Sequence, residues 1–312
     1  MLEYAYQLKS FHFLEGLIES KCLEDFYQQL AHLLAQKILN RGRKGFYRAY
    51  LPKTSQLNYV RGCVDLQQAI LKPFDIKLSC HYQEHTADVE ENQILAWTLL
   101  GIARSGLCTE RVLPKIRQAY RTLQGAVTLK PINPENCIGR IYNRLNQDYQ
   151  PLHALCRFFL ENSGPSHEKG DRTTLPFLVN MAHLYELFIA QWLKAHLPSD
   201  LYLKSHETIS IGKTLHFQTD LVLYDVSTGT ARYILDTKYK TPASPSTDDV
   251  AQAIAYAVSK HCRTAILVYP VALSQPLNEL IGDIHIRSLT FCLEKNLDIA
   301  GKVFLQNLLF LP

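Results

Sequence analysis

Apolar residues recur at Leu23, Phe26, Leu30, Leu33, Leu34 and Ile38 in a proline-free stretch. That spacing predicts a helix over residues 14–39. Asn40 and Gly42 read as its stop signals. They leave NRGRKGFYRAY as a loop carrying Arg41, Arg43, Lys44 and Arg48. VRGCVDL reads as short and extended. HYQEHTADVEENQILAWTLLGIARSG begins polar and becomes an amphipathic helix, with Thr86 or Asp88 as its candidate cap. Further helices are predicted over residues 112–123 and 149–160. ENSGPSHEKGDRTT, residues 161–174, is rich in turn formers and reads as an exposed linker. It divides the chain into a mainly helical region, 1–165, and a second domain, 166–312.

The second domain changes pattern. PFLVNMAHLYELFIAQWL has the spacing of a long helix, and residues 200–210 read as extended. LVLY and RYIL have strand composition and flank DVSTGT, which predicts an antiparallel hairpin. PASPST breaks the chain again. DDVAQAIAYAVSKH reads as a helix capped by Thr247 or Asp248, and TAILVYP and HIRSLTFCL as strands. The order is helix, three strands, helix, two strands. Helices interleaved with a small mixed sheet define a mixed α/β architecture.

Composition narrows the class. The 312 residues suffice for one large or two ordinary domains. At 47% hydrophobic and 20% charged, the chain suits a globular protein with a sizeable core. A formal charge of +4 permits nucleic acid as a partner without demanding it. No apolar stretch reaches transmembrane length, and MLEYAYQLKS is not a signal peptide. Eight cysteines without a C-x-x-C pair suggest buried thiols in a reducing, cytoplasmic setting. His81 and His85, with Cys80 adjacent, have too few companions at sensible spacing for zinc. No phosphate-binding G-x-x-x-x-G-K-[ST] loop occurs, so nucleotide hydrolysis by this chain alone is not expected.

The chemistry concentrates in the hairpin. Asp220 lies on one strand; Asp236 and Lys238 lie two apart on the next and share a face. Charges placed in apolar strands are costly unless something uses them. Two carboxylates on neighbouring strands suit a hard divalent cation, with a main-chain carbonyl near Thr237 as a further ligand. Lys238 then suits electrostatic stabilisation of developing negative charge. A surface hairpin with solvated charges would look the same locally. Glu186, near the border of an apolar helical stripe, either reaches the metal or is exposed. Gln252 and Tyr256 share a helix face. Gln252 suits contact with water or phosphate, and Tyr256 suits ordinary packing. The basic residues Arg41, Arg43, Lys44 and Arg48 either form a solvated loop or touch a DNA backbone.

HLYELF, FQTDLVLY, ILDTKYK and DVAQAIAYA together resemble the nuclease domain of the McrC family and the wider PD-(D/E)XK nuclease superfamily. LNRGRKGFYRAY, YVRGCVDL and HYQEHTADVEENQIL resemble the region upstream of that domain. The resemblance implies a PD-(D/E)XK nuclease fold over 166–312. It implies a magnesium-dependent endonuclease, with manganese a substitute, in a modified-cytosine-dependent restriction system. Asp220, Asp236 and Lys238 match the superfamily's metal and catalytic set, Glu186 its helix-borne acid, and Gln252 its glutamine after the core strands. Thr219 stands where a proline is common. The implied partners are DNA and an AAA+ GTPase motor, with no membrane. The resembling region begins near the first residue, so the family's additional motor-contacting domain is expected to be absent or supplied by another chain. The competing functions are a stand-alone repair or branched-DNA nuclease and a catalytically silent DNA-binding subunit.

Overall fold

A computed structural model describes residues 1–6, 8, 22–71, 75–163, 177–211, 215–294 and 296–309. The chain divides into two compact units, one of residues 1–9 and 179–312, the other of residues 10–178.

The second of these units is largely helical. After the short helix α1 (Leu2–Ala5), which belongs with the C-terminal unit, come α2 (Leu23–Lys44), α3 (Leu66–Leu71), α4 (Glu90–Arg104), α5 (Leu113–Gln124) and α6 (Tyr149–Asn162). The apolar stripe of α2 buries Leu30, Leu34 and Ile38, as its spacing predicts, while Leu23 stays exposed. The predicted residues 14–21 lie outside the described residues. Asn40 and Gly42 do not stop this helix. It runs on to Lys44 and ends at Gly45, whose φ of 88° suits a residue without Cβ. An interior glycine costs a helix only about 1 kcal/mol, and Arg41 anchors the last turn. Its Nη2 donates to the Leu145 carbonyl at 3.3 Å, and its Nε lies 3.5 Å from Asp148.

Three strands also lie in this unit: β1 (Ala49–Leu57), β2 (Cys63–Val64) and β3 (Leu78–Thr86), in the order β1-β3-β2. Strand β2 falls in the extended VRGCVDL, while β1 and β3 are not announced by the sequence pattern. HYQEHT is therefore strand, not the polar start of a helix. Neither Thr86 nor Asp88 caps α4, whose N-cap is Val89. Asp88 instead accepts hydrogen bonds from Gln93 Nε2 and from the Thr128 amide and hydroxyl. The histidines of β3 have local partners: His81 Nδ1 lies 2.8 Å from Thr54 Oγ1, and the His85 ring stacks on Tyr50. The predicted linker lies mostly outside the described residues, since α6 runs to Asn162 and description resumes at Phe177.

The other unit is built on a mixed six-stranded sheet. Its strands are β4 (Leu201–Ile211), β5 (Leu215–Asp225), β6 (Ala231–Thr237), β7 (Thr264–Tyr269), β8 (Asn278–Ile281) and β9 (Ile284–Thr290), in the order β4-β5-β6-β7-β9-β8. The β4–β5, β5–β6 and β8–β9 pairs are antiparallel; β6–β7 and β7–β9 are parallel. Helices α7 (Met181–His196), α8 (Thr247–Ser259) and α9 (Leu297–Leu309) flank it. The α7 helix begins at Met181, later than predicted, because Asn180 accepts from the His183 amide and caps it. Ser246, not Thr247 or Asp248, caps α8. The exposed strand β8 and the helix α9 are additions to the predicted elements.

Strand β7 is buried along its whole length, which explains the uninterrupted apolar run TAILVY. Val222, Ile234, Ala253, Ala257, Ala265, Leu267 and Ile286 form one core cluster between sheet and helix. Gly301 of α9 packs so closely on Trp192 of α7 that a Cβ there would overlap the indole. The eight cysteines are free thiols, but Cys80, Cys156 and Cys262 alone are buried, while Cys22 and Cys63 are exposed. Among the described residues no helix is long and apolar enough to cross a membrane.

Candidate active site

The predicted hairpin forms, and its register places the two aspartates. Leu221 pairs with Leu235 at the last paired position. One residue further along this antiparallel register, Asp220 stands across from Asp236. There the ladder parts. Strand β6 continues parallel to β7, with Asp236 opposite Leu267 and the Lys238 amide donating to the Val268 carbonyl at 2.9 Å. Asp220 Oδ2 accepts from the amide and hydroxyl of Thr237, at 2.8 and 3.0 Å. The parting strands thus hold two carboxylates at the sheet's interior.

Asp236 is 1% exposed, which decides its character. Among the described residues neither of its oxygens accepts a hydrogen bond of good geometry. Its compensation is an ion pair, Lys238 Nζ to Oδ2 at 2.8 Å. Burial, and next the charge of Asp220, pushes the Asp236 carboxyl up to about 7 against the pull of Lys238. Burial and the neighbouring Glu186 likewise raise Asp220, opposed by the Thr237 hydrogen bonds. The solvated-hairpin alternative does not hold for a pair so enclosed.

Lys238 is held from several sides. Its Nζ donates to Gln252 Oε1 at 3.0 Å, and Asp249 Oδ1 lies 3.6 Å away. Burial works against its charge, but Asp236, Asp249 and Asp220 outweigh burial and raise its pKa. Gln252 is fixed in turn, its Nε2 donating to the Tyr256 hydroxyl at 2.6 Å. Tyr256 therefore orients this glutamine as well as packing in the core.

Glu186, on α7, is mostly buried. Its carboxylate lies 3.3 Å from His206 Nδ1 and 3.8 Å from His183 Nδ1. Its charge acts on Asp220, so the fold gathers Glu186, Asp220, Asp236, Lys238 and Gln252 into one electrostatic neighbourhood.

Arg41, Arg43, Lys44 and Arg48 lie in the other unit. Arg43, Lys44 and Arg48 are exposed, whereas Arg41 is engaged within its own unit and has its guanidinium 5.2 Å from the centre of the Tyr149 ring.

The roles of three neighbours are not evident from the sequence. Asp249 lies one helical turn before Gln252, a spacing that could have flagged it; its Oδ2 is 2.5 Å from Lys240 Nζ. Thr237 is expected only as a carbonyl ligand, whereas its amide and hydroxyl donate to Asp220. His206 gives no signal in the sequence, because only the strand register brings it to the carboxylates.

Among the described residues no three His, Cys, Asp or Glu side chains are grouped to cage a metal by themselves. A magnesium ion does not require such a cage, since it usually keeps several waters and takes one or two carboxylates. Buried, hydrogen-bond-deprived Asp236 oxygens beside a second carboxylate fit that donor chemistry.

This arrangement defines an α/β protein with a carboxylate–lysine centre at the opening of a hairpin. A profile for the McrBC 5-methylcytosine restriction system component matches residues 1–270, and the chain belongs to that family. Its fold is similar to that of a chain in the refined half-complex from the tetradecameric assembly of Thermococcus gammatolerans McrB AAA+ hexamers with bound McrC. The TM-score is 0.52 at 18% identity, over 95% of this chain and 70% of that one. A chain of the cryo-EM structure of the T. gammatolerans McrBC complex matches at TM-score 0.42 and 18% identity, over 62% of this chain and 55% of that one. No curated protein matches.

Proposed function

We propose that this chain is the metal-dependent endodeoxyribonuclease subunit of a McrBC-type restriction assembly, hydrolysing DNA phosphodiester bonds under the direction of a separate AAA+ GTPase motor. The observation that carries the reading is Asp236, a buried carboxylate paired to Lys238 at 2.8 Å across the hairpin from Asp220. Such a pair is expensive as a structural element, because ions out of water lose several kcal/mol of solvation each. A site that recruits a cation gives it a use.

Asp220 and Asp236 would hold magnesium, or manganese in its place, with Glu186 reaching the ion or one of its waters. When bound, the ion would polarise the phosphodiester and lower the pKa of a coordinated water. Lys238 remains protonated beside its carboxylates and meets negative charge developing on the phosphate. Gln252, steadied by Tyr256, keeps the Lys238 ammonium in place and offers its amide to water or phosphate. Thr237 fixes the rotamer of Asp220. Arg43, Lys44 and Arg48 are proposed to grip the duplex backbone, with Arg41 bracing the helix end that presents them.

The test is cleavage of duplex DNA with and without magnesium, by wild type and Asp236→Ala, in the presence of a McrB-type AAA+ GTPase and GTP. Magnesium-dependent cleavage by wild type alone supports the reading; equal cleavage by both removes it.

A further inference from the structure

His206 is a histidine in a left-handed backbone conformation inside a strand. Its φ is 56°, and Cβ-bearing residues rarely adopt that region. Ser205 pairs with Leu221 and Glu207 with Thr219, so His206 stands across from Asp220 in an otherwise continuous register.

The consequence is visible in its neighbours. Side chains along a strand alternate between faces, so residues three apart should point to opposite sides. Lys204 and Glu207 do not. Lys204 Nζ lies 5.1 Å from the centre of the Tyr224 ring, the Tyr224 hydroxyl donates to Glu207 Oε2 at 2.5 Å, and Lys204 Nζ lies 3.4 Å from Glu207 Oε1. The left-handed residue shifts the alternation by one. Glu207 joins the Tyr224 side, and the His206 imidazole turns to Glu186, with Nδ1 3.3 Å from Oε1. That buried oxygen accepts no hydrogen bond of good geometry among the described residues, so the contact is one of proximity and charge. A strained position that the surrounding sheet holds in place is a marker of a site that uses the strain.

We propose that His206 is a positioning residue whose left-handed backbone turns its imidazole onto Glu186 and fixes that carboxylate for the metal centre. The inference rests on the nuclease reading above. It assigns Glu186 a fixed partner, in the way that groups behind metal ligands commonly orient them.

Glycine at 206 would relieve the backbone and remove the imidazole. A merely structural histidine would, on removal, lower stability and leave cation affinity alone. The experiment measures manganese binding by titration calorimetry and thermal unfolding for the full chain. It compares wild type with His206→Gly, His206→Asn, Glu186→Gln, Asp236→Ala and the His206→Gly/Glu186→Gln double variant. His206→Gly is expected to unfold no earlier than wild type yet bind manganese about 10-fold more weakly. His206→Asn, which tolerates the left-handed region and retains a donor, should keep most of the affinity. In the Glu186→Gln background, His206→Gly should cost nothing further. Wild-type affinity in His206→Gly overturns the proposal, as does a full additional loss in the double variant. Loss of affinity in Asp236→Ala but not in His206→Gly overturns the proposal alone. Unchanged affinity in Asp236→Ala overturns the metal-centre reading and the proposal with it.

Discussion

Lys238 Nζ lies 2.8 Å from Asp236 Oδ2, and this pair sits where strands β5 and β6 part company. Lys238 directly follows β6, two residues beyond Asp236, and its amide's hydrogen bond to the Val268 carbonyl keeps the backbone extended along β7, so the two side chains meet on one face. With Asp236 buried, neither partner is easily removed without consequence for the other.

Lys238→Ala should therefore lower turnover by of order 10²–10³-fold, the scale seen when a preorganised donor to developing charge is deleted. Divalent-ion binding should persist, because the lysine is assigned to charge stabilisation. Single-turnover cleavage at saturating magnesium, beside calorimetry of ion binding, separates the two. Normal turnover would make Lys238 a partner for Asp236 and nothing more.

The basic residues divide by their surroundings. Replacing Arg43, Lys44 and Arg48 together with alanine should weaken DNA binding about equally for any sequence. The slope of log affinity against log salt should flatten by about 2–3, because each phosphate left unneutralised keeps its counterion. Replacing Arg41 should lower stability instead, since its guanidinium is tied to Leu145 and Asp148. Fluorescence titrations of labelled duplex at several salt concentrations, with melting curves, check both. Parallel salt slopes would dismiss the backbone grip.

Stability of the helical unit should fall in acid because of His153. Burial lowers its pKa from 6.5 to about 4, and the neutral ring donates from Nε2 to the Glu91 carbonyl at 2.9 Å while Nδ1 meets the Tyr142 hydroxyl at 2.8 Å. A depressed histidine binds its proton in the unfolded chain first. Its contribution is complete above pH 6.5 and is lost as pH falls toward 4. The loss amounts to about 3 kcal/mol for a shift of this size. Denaturant unfolding at about pH 7.5 and about pH 4.5 should show that drop in wild type and a smaller one in His153→Phe.

Gly301→Ala should destabilise the sheet unit by about 1–3 kcal/mol, the usual cost of overpacking. The new methyl would overlap Trp192, which is itself buried between α7 and its neighbours. The melting temperature of the variant should fall; an unchanged value would mean that α9 shifts freely on α7.

Much of the fold was legible in the sequence, and the exceptions have physical causes. The hairpin could be read because LVLY and RYIL are apolar runs bounded by a turn, and its charges stood out against them. Strands β1 and β3 could not. Strand β1 is exposed along most of its length, so AYLPKTSQL shows no clean alternation and contains a proline. Strand β8 is exposed at every position for the same reason. Helix α2 outran its apparent stop signals because Arg41 secures its last turn through Leu145 and Asp148, which are remote in sequence. At the site, Asp220, Asp236, Lys238 and Gln252 lie on elements whose patterns are strong. The donor role of Thr237 and the placement of His206 arise only through register, and a backbone dihedral of 56° leaves no trace in composition.

The central claim is that the carboxylate pair makes this chain a metal-dependent nuclease. The most direct measurement is the rate at which duplex DNA is cut as magnesium is titrated, for wild type and Asp220→Ala, with a McrB-type AAA+ GTPase and GTP present. The account predicts saturable, magnesium-dependent cutting by wild type and none by Asp220→Ala, with both proteins folded by circular dichroism. Equal cutting by the two, or cutting by wild type that persists in chelator, would contradict it.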